Sequence, residues 1–462
     1  MLTRLRVKGF KSLEDVEVRF GPFTCIAGAN GVGKSNLFDA ILFLKGLSNT
    51  SIIEAANSIR NSGKQRTSIA SLFTQTFSSQ AQLMEFEADM LVGDKVIDDF
   101  SREAKPKVTY LRYKIGLRYI KSTATTPEGI ELVHESLDFI QKGSAKSELG
   151  FSLTKEFFDS AYVGSSKIDF IYTEENSNVV KIRQDQTSGN AISIPISKAD
   201  RTILSNINTI DRPTALAARR EMQSWTLLQL ESSSLRKPDD FLSKNHVSEY
   251  GEHLPATLDR LGKNQEIANQ LANLLPDVKN VFVDVDEKRQ LKTLYLESMN
   301  QIKHEARALS DGTLRFLALS IIGADPESGG VICLEEPENG IHPARIPAIV
   351  ELLYQMAVDT EFAINNDNPL RQIIINTHSP LVVKHIASED IIVSQAYKRE
   401  GASLSAFRPV ENTWRSESAG ADTAAFGVLL DYLQVGAVDD ESHQGRIGLI
   451  QQYKHQLDLL SK

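Results

Sequence analysis

Residues 28–35 read GANGVGKS and residues 331–343 read VICLEEPENGIHP. The first fits G-x-x-x-x-G-K-[ST] at every fixed position, after an apolar run and before an apolar-periodic stretch. That spacing is the signature of a loop that wraps a phosphate. Gly28, Gly31 and Gly33 remove side chains where the backbone must approach the anion, and the N–H groups of Asn30, Gly31, Val32 and Gly33 point at it. Lys34 is expected to reach the β- and γ-phosphates of a nucleotide and the Ser35 hydroxyl to bind Mg²⁺. In the second stretch, Glu335 and Glu336 stand side by side where a buried run ends. Adjacent carboxylates repel, so a cation is expected between them and the phosphate. Glu335 is assigned to the metal, and Glu336 to orienting and polarising a water as the catalytic carboxylate.

These groups need a scaffold, and the patterning supplies one. PFTCIAG is a continuous apolar run, as a strand buried on both faces requires, and NLFDAILFLKGL has helical spacing that stops at Gly46. VICL and IIINTH are two more such runs, separated by the helical RIPAIVELLYQMA. Leu5 and Val7 alternate with charged residues, as do Val16, Val18 and Phe20, so two half-buried strands are expected near the start. In VTYLRYKIGLRYI, Leu111, Tyr113, Ile115, Leu117 and Tyr119 fall on one face, and Tyr110, Arg112, Lys114 and Arg118 on the other. Residues 121–200 are polar and weakly periodic. TALAARREMQSWTLLQLE reads as helix, and VFVDV and LKTLYLES as strands.

The chain has 462 residues, 41% apolar, with a formal net charge of −9 and two cysteines, Cys25 and Cys333, in apolar runs. This composition fits an ordinary globular protein of two or three domains' worth of core. Both cysteines read as small core residues in a reducing cytoplasm. No apolar run approaches the roughly 18 residues of a membrane span, so no membrane partner is expected. The acidic balance argues against coating nucleic acid over the whole surface, though Arg112, Lys114 and Arg118 form a local basic strand face that could contact it. The nine histidines are dispersed and make no zinc pattern.

Taken together, FKSLEDVEVRF with GANGVGKSN, then LSDGTLR (309–315), LEEPENGIHP and NTHSP (376–380) resemble the ABC-type ATPases of the SMC, Rad50, RecF and OLD group, in that group's order. The resemblance spans about 1–120 and 280–400. It implies an α/β fold: an ABC-type P-loop ATPase head with a mixed β-sheet core, an antiparallel β subdomain and a largely helical insert, without long coiled-coil arms. The expected division is 1–120 (first head lobe), 121–280 (insert), 281–400 (second head lobe) and 401–462 (C-terminal extension). The resemblance further implies ATP and Mg²⁺ as cofactors and a head-to-tail dimer, or higher oligomer, of this chain. In it Ser310, Asp311 and Gly312 would contact the γ-phosphate held by the other copy, with Ser310 capping the helix that begins near Leu314. His378 would sense the same phosphate. Two features depart from the pattern: Glu335 stands where Asp is usual, and the group's metal-side glutamine is not identifiable, with Gln65, Gln75 and Gln80 as candidates.

Compact heads of this kind resemble the ATPase subunits of bacterial anti-phage systems of the Septu, PARIS and retron-linked types. That implies a regulatory ATPase working with a separate nuclease or toxin effector and a phage-derived trigger, with the insert as contact surface. No nuclease activity of its own is expected, because no strand ending in Glu with a later D-x-D follows His378. A DNA-repair ATPase of the RecF kind and a non-hydrolysing, ATP-held scaffold are the alternative readings.

Overall fold

The computed structural model describes residues 1–59, 68–123, 127–174, 177–185, 191–417, 422–425 and 427. Gln65 and most of the C-terminal extension lie outside these residues.

A six-stranded sheet runs through the middle of the molecule. Its order is Thr226–Leu228, Gly330–Glu335, Arg371–Thr377, Phe23–Ala27, Ile391–Arg399 and Ala402–Pro409. The first five strands are parallel and the last is antiparallel. Every residue of Phe23–Ala27 and Arg371–Thr377 is buried, which explains why these strands read as unbroken apolar runs.

Alternation along these strands divides the core in two. Ile26, Val331, Cys333 and Ile374 point to one side, into a core shared with the helix Lys34–Leu47 and its Phe38, Ile41 and Leu44. Cys25, Ile332, Leu334, Ile373 and Ile375 point to the other, against the helices Asp311–Ala324 and Ile346–Met356. Each large apolar side chain buried in this way contributes roughly 1.5–3 kcal/mol. Both cysteines are fully buried and free.

The first core is closed by an antiparallel sheet of eight strands, ordered Ile192–Pro195, Val179–Ile182, Ile171–Thr173, Gly129–Phe139, Tyr110–Ile120, Leu83–Leu91, Leu2–Phe10 and Leu13–Arg19. Phe10, Phe43 and Phe86 meet in its centre with ring centroids 5.4 to 5.7 Å apart. A smaller sheet, with the hairpin Val278–Asp286 and Leu291–Ser298 at its centre, packs on the helices Leu254–Leu261 and Asn264–Leu274.

Three local expectations differ from the fold. The weakly periodic stretch 121–200 holds four strands of the eight-stranded sheet and two short helices, Lys142–Leu149 and Lys155–Ala161. The helix expected to run through TALAARREMQSWTLLQLE ends at Ser224. Trp225 is fully buried there, and Thr226–Leu228 pairs in parallel with Ile332–Leu334, so sheet pairing overrides helical spacing. Tyr110, counted on the outward face of its strand, is fully buried with its hydroxyl 3.0 Å from the Thr3 hydroxyl. The segment 121–280 therefore carries helices and also contributes strands to both large sheets.

Candidate active site at the carboxyl edge of the parallel sheet

Three parallel strands end at one edge and deliver their next residues into a cleft of about 530 Å³. This is the edge where open α/β sheets bind ligands. Asn30, Gly31, Gly33, Lys34, Ser35 and Asn36 line it from the loop after Phe23–Ala27. Glu335, Glu336 and Asn339 come from the end of Gly330–Glu335, and Asn376 from the strand between them.

The glycines are explained by geometry. Gly31 and Gly33 have φ of 79° and 92°, in the left-handed region. A Cβ at Gly28 would stand 2.5 Å from the Ser394 carbonyl oxygen. Gly33 is the N-cap of Lys34–Leu47 and offers no side-chain cap. The helix dipole favours an anion at this end. The Lys34 ammonium donates to the carbonyls of Gly28 (2.7 Å) and Ala29 (2.8 Å). Burial lowers its pKa, and the carboxylates of Glu336, Glu338 and Glu335 act against that shift.

Glu336 has φ of 47°, and its N–H donates 2.9 Å to the Asn376 carbonyl. This turn swings its carboxylate out of line with the strand. One carboxylate oxygen lies 2.7 Å from Nδ1 of His378, and the other accepts from Nδ2 of Asn339 at 2.8 Å. Burial pushes the Glu336 carboxyl up, but the bonds from Asn339 and His378 and the Lys34 charge outweigh it and hold the group below the usual range. A carboxylate on Nδ1 fixes the proton there and leaves Nε2 of His378 for a second partner. Glu335 accepts a long bond, 3.4 Å, from Nδ2 of Asn376.

Asn339 and Asn376 were not singled out by spacing alone, although both lie within quoted motifs. Glu338 was also missed. It is buried, takes the Thr377 hydroxyl as donor, and keeps one oxygen without a partner. The metal-side glutamine takes a new candidate. Gln229 follows the strand beside Gly330–Glu335 and lines, with Glu335, a cavity of about 350 Å³. Gln75 and Gln80 instead both donate to the Ala70 carbonyl, in a turn outside the cleft. A late break in an apparent helix hid Gln229. The oxygens of Ser35 and Glu335 in the cleft, and of Gln229 in the cavity that shares Glu335 with it, are hard donors of the kind magnesium takes, so these side chains fit that ion.

Ser310, Asp311 and Gly312 do not line the cleft of their own chain. Ser310 caps the helix Asp311–Ala324, accepting from the Thr313 N–H at 3.3 Å, so the helix begins earlier than expected. Asp311 pairs with Arg236 at 2.6 Å. Gly312 lies against the turn after the two glutamates, where an added Cβ would meet the Gly340 carbonyl at 3.0 Å. Arg112, Lys114 and Arg118 each face a carboxylate: Asp89 at 2.7 Å, Glu87 at 3.0 Å and Glu131 at 3.2 Å. Among the described residues no cluster of three or more His, Cys, Asp or Glu side chains is arranged to hold a metal, and no helix is long and apolar enough to cross a membrane.

A glycine loop and two glutamates at the carboxyl edge of one parallel sheet, with a capped LSDG helix beside them, define an ABC-type P-loop ATPase of the SMC, Rad50, RecF and OLD group. The chain belongs to the family described as AAA domain, putative AbiEii toxin, Type IV TA system, whose model matches residues 23–106 and 119–384. Shorter stretches are similar to curated proteins. One is 51% identical over 41 residues to an OLD nuclease of Thermus scotoductus, covering 9% of this chain and 8% of that protein. Another is 31% identical over 96 residues to the DNA repair protein RecN of Xylella fastidiosa, covering 21% and 16%. The chain thus spans only a small part of the length of these relatives. Among solved structures, an SMC head bound to the C-winged helix domain of ScpA is 15% identical, with a TM-score of 0.47 over 89% of this chain and 98% of that one.

Proposed function

We propose that this chain binds and hydrolyses ATP with Mg²⁺, and that two copies meet head to tail so that Ser310 to Gly312 of each complete the site of the other. The observation that carries this reading is the Glu336–His378 pair, 2.7 Å apart, beside Lys34 and Ser35 on one sheet edge. In this reading the triphosphate lies on the N–H groups of the glycine loop, with Lys34 moving from the Gly28 and Ala29 carbonyls to phosphate oxygens. Ser35, Glu335 and Gln229 would hold the metal, which when bound draws charge from the terminal phosphate. Glu336, ionised because its pKa is depressed, accepts a hydrogen bond from the attacking water and orients its lone pair. His378, steered by Glu336 through Nδ1, directs Nε2 at the γ-phosphate. The helix dipole behind Ser310 favours an anion in front of it, and the exposed Asp311 leaves that end facing outward.

Mixing two defective chains tests the head-to-tail arrangement. Lys34→Ala spoils the loop, and Ser310→Glu spoils the trans contact. Each is expected to be nearly inactive alone. Mixed, they restore one intact site per heterodimer, so phosphate release reappears. A mixture no more active than its parts rules the arrangement out.

We further propose that ATP state regulates a separate nuclease or toxin effector in anti-phage defence, in a cytoplasmic assembly. The family description, which names a toxin and a toxin–antitoxin system, supports a paired partner. The similarity to RecN favours a second reading, a DNA-repair ATPase. The paired cations on the strand Tyr110–Ile120 speak less for it, because phosphate would have to displace carboxylates already in place. Duplex DNA binding measured at low and high salt separates the two, since repair requires a steep salt dependence.

A further inference from the structure

The glycine loop is held from behind by groups far away in sequence. The Ser405 hydroxyl, on the strand Ala402–Pro409, donates to the Val32 carbonyl at 2.8 Å. Its oxygen lies 2.6 Å from the Ser12 hydroxyl, and Nδ2 of Asn36 donates to Ser12 at 2.7 Å. The Ser405 N–H also donates to the Ser12 carbonyl at 2.9 Å. Each hydroxyl has one proton. Because Val32 can only accept and the Asn36 amide donates, the direction of the chain is forced: Asn36 to Ser12, Ser12 to Ser405, Ser405 to Val32. Gly33 fits this arrangement closely, since a Cβ there would come within 1.9 Å of Oγ of Ser405. The neighbouring Lys11, with φ of 48°, ties the same turn to the loop's helix through Asp39 at 2.7 Å.

We infer that Ser12 and Ser405 are positioning residues for nucleotide binding: a hydroxyl latch that fixes the Val32 peptide so that the following N–H groups face the phosphates. The latch joins the antiparallel sheet, which carries Ser12, to the outer strand of the central sheet, which carries Ser405, across the phosphate loop. Both residues lie outside the stretches matched to the family, so the match assigns them no role. The inference rests on the phosphate-loop reading above.

The test measures equilibrium binding of a fluorescent ATP analogue, with Mg²⁺, to Ser12→Ala, Ser405→Ala, the double variant and Lys34→Ala, alongside thermal melting without nucleotide. Each serine variant is expected to bind about tenfold more weakly, an effect of one part-buried hydrogen-bond network. The double variant should be no worse than about the worse single one, because both break the same chain. Melting temperatures should fall little. If Lys34→Ala loses binding while the serine variants bind like wild type, the latch is wrong and the phosphate-loop reading stands. Should Lys34→Ala also bind like wild type, that reading itself fails. Additive losses that track falling melting temperatures would mean the serines only stabilise the fold, which also overturns the latch.

Discussion

Glu336 is asked to do two things at once: turn away from its strand and stay ionised. Its positive φ achieves the first and its bonds to Asn339 and His378 the second. Glu336→Gln keeps the shape and can still bond, but loses the charge proposed to orient the water. Phosphate release is expected to fall at least 100-fold, within the range for a lost general base, while ATP affinity changes little. Equal turnover by wild type and variant would remove Glu336 from the mechanism. His378→Ala should slow turnover less, because it removes the group proposed to face the γ-phosphate and leaves the carboxylate itself in place. Since the Glu336 pKa lies below the ordinary carboxylate value, its protonation imposes no loss of rate between about pH 5.5 and 8.

At the scale of elements, the strand Arg371–Thr377 connects the site to the helices behind it. Its far end is Arg371, almost fully buried, whose guanidinium donates to the carbonyls of Gly323 (2.9 Å), Asp325 and Ser328. Gly323 lies in the last turn of the helix whose first residue follows Ser310. One strand thus carries His378 beyond one end and, at the other, grips the back of the helix that presents the LSDG turn. Burial lowers the Arg371 pKa to about 10, yet it stays cationic at neutral pH. Arg371→Met leaves several buried carbonyls without donors and should lower stability by about 3 kcal/mol or more. Urea unfolding would check this; a loss under about 1 kcal/mol would show that the grip contributes little.

For the molecule as a whole, one buried carboxyl makes stability pH-dependent. Glu135 is fully buried in the antiparallel sheet, accepts the N–H groups of Ile203 (2.6 Å) and Leu204 (2.8 Å), and lies 3.1 Å from the Tyr113 hydroxyl. Burial raises its pKa from 4.5 to about 7, against the lowering effect of those bonds. The folded state therefore holds a proton between about pH 4.5 and 7 that the unfolded chain has released. This contribution is full below 4.5 and is lost as pH rises through 7, on the order of 3 kcal/mol. Thermal melts of wild type and Glu135→Gln from pH 5 to 8 should differ in slope, with the variant losing less stability over that range. Parallel profiles would show that Glu135 does not titrate there.

The loop chemistry and the buried strands were legible from local order alone. A phosphate loop needs small residues at fixed offsets, and a strand buried on both faces must be apolar throughout, so neither depends on what lies far away in the chain. Tertiary pairing decided the rest. Gln229 comes to line a cavity with Glu335 only because Thr226–Leu228 gave up helical spacing to pair with Ile332–Leu334. Tyr110 went inward because Leu2–Phe10 carries Thr3 to its hydroxyl. Arg112, Lys114 and Arg118 met carboxylates on neighbouring strands that no reading of one strand could foresee. Ser12 and Ser405, 393 residues apart, share a hydrogen bond. Spacing along a chain encodes contacts within a turn or a strand, whereas contacts between segments depend on sheet order and register, which exist only once the chain has folded.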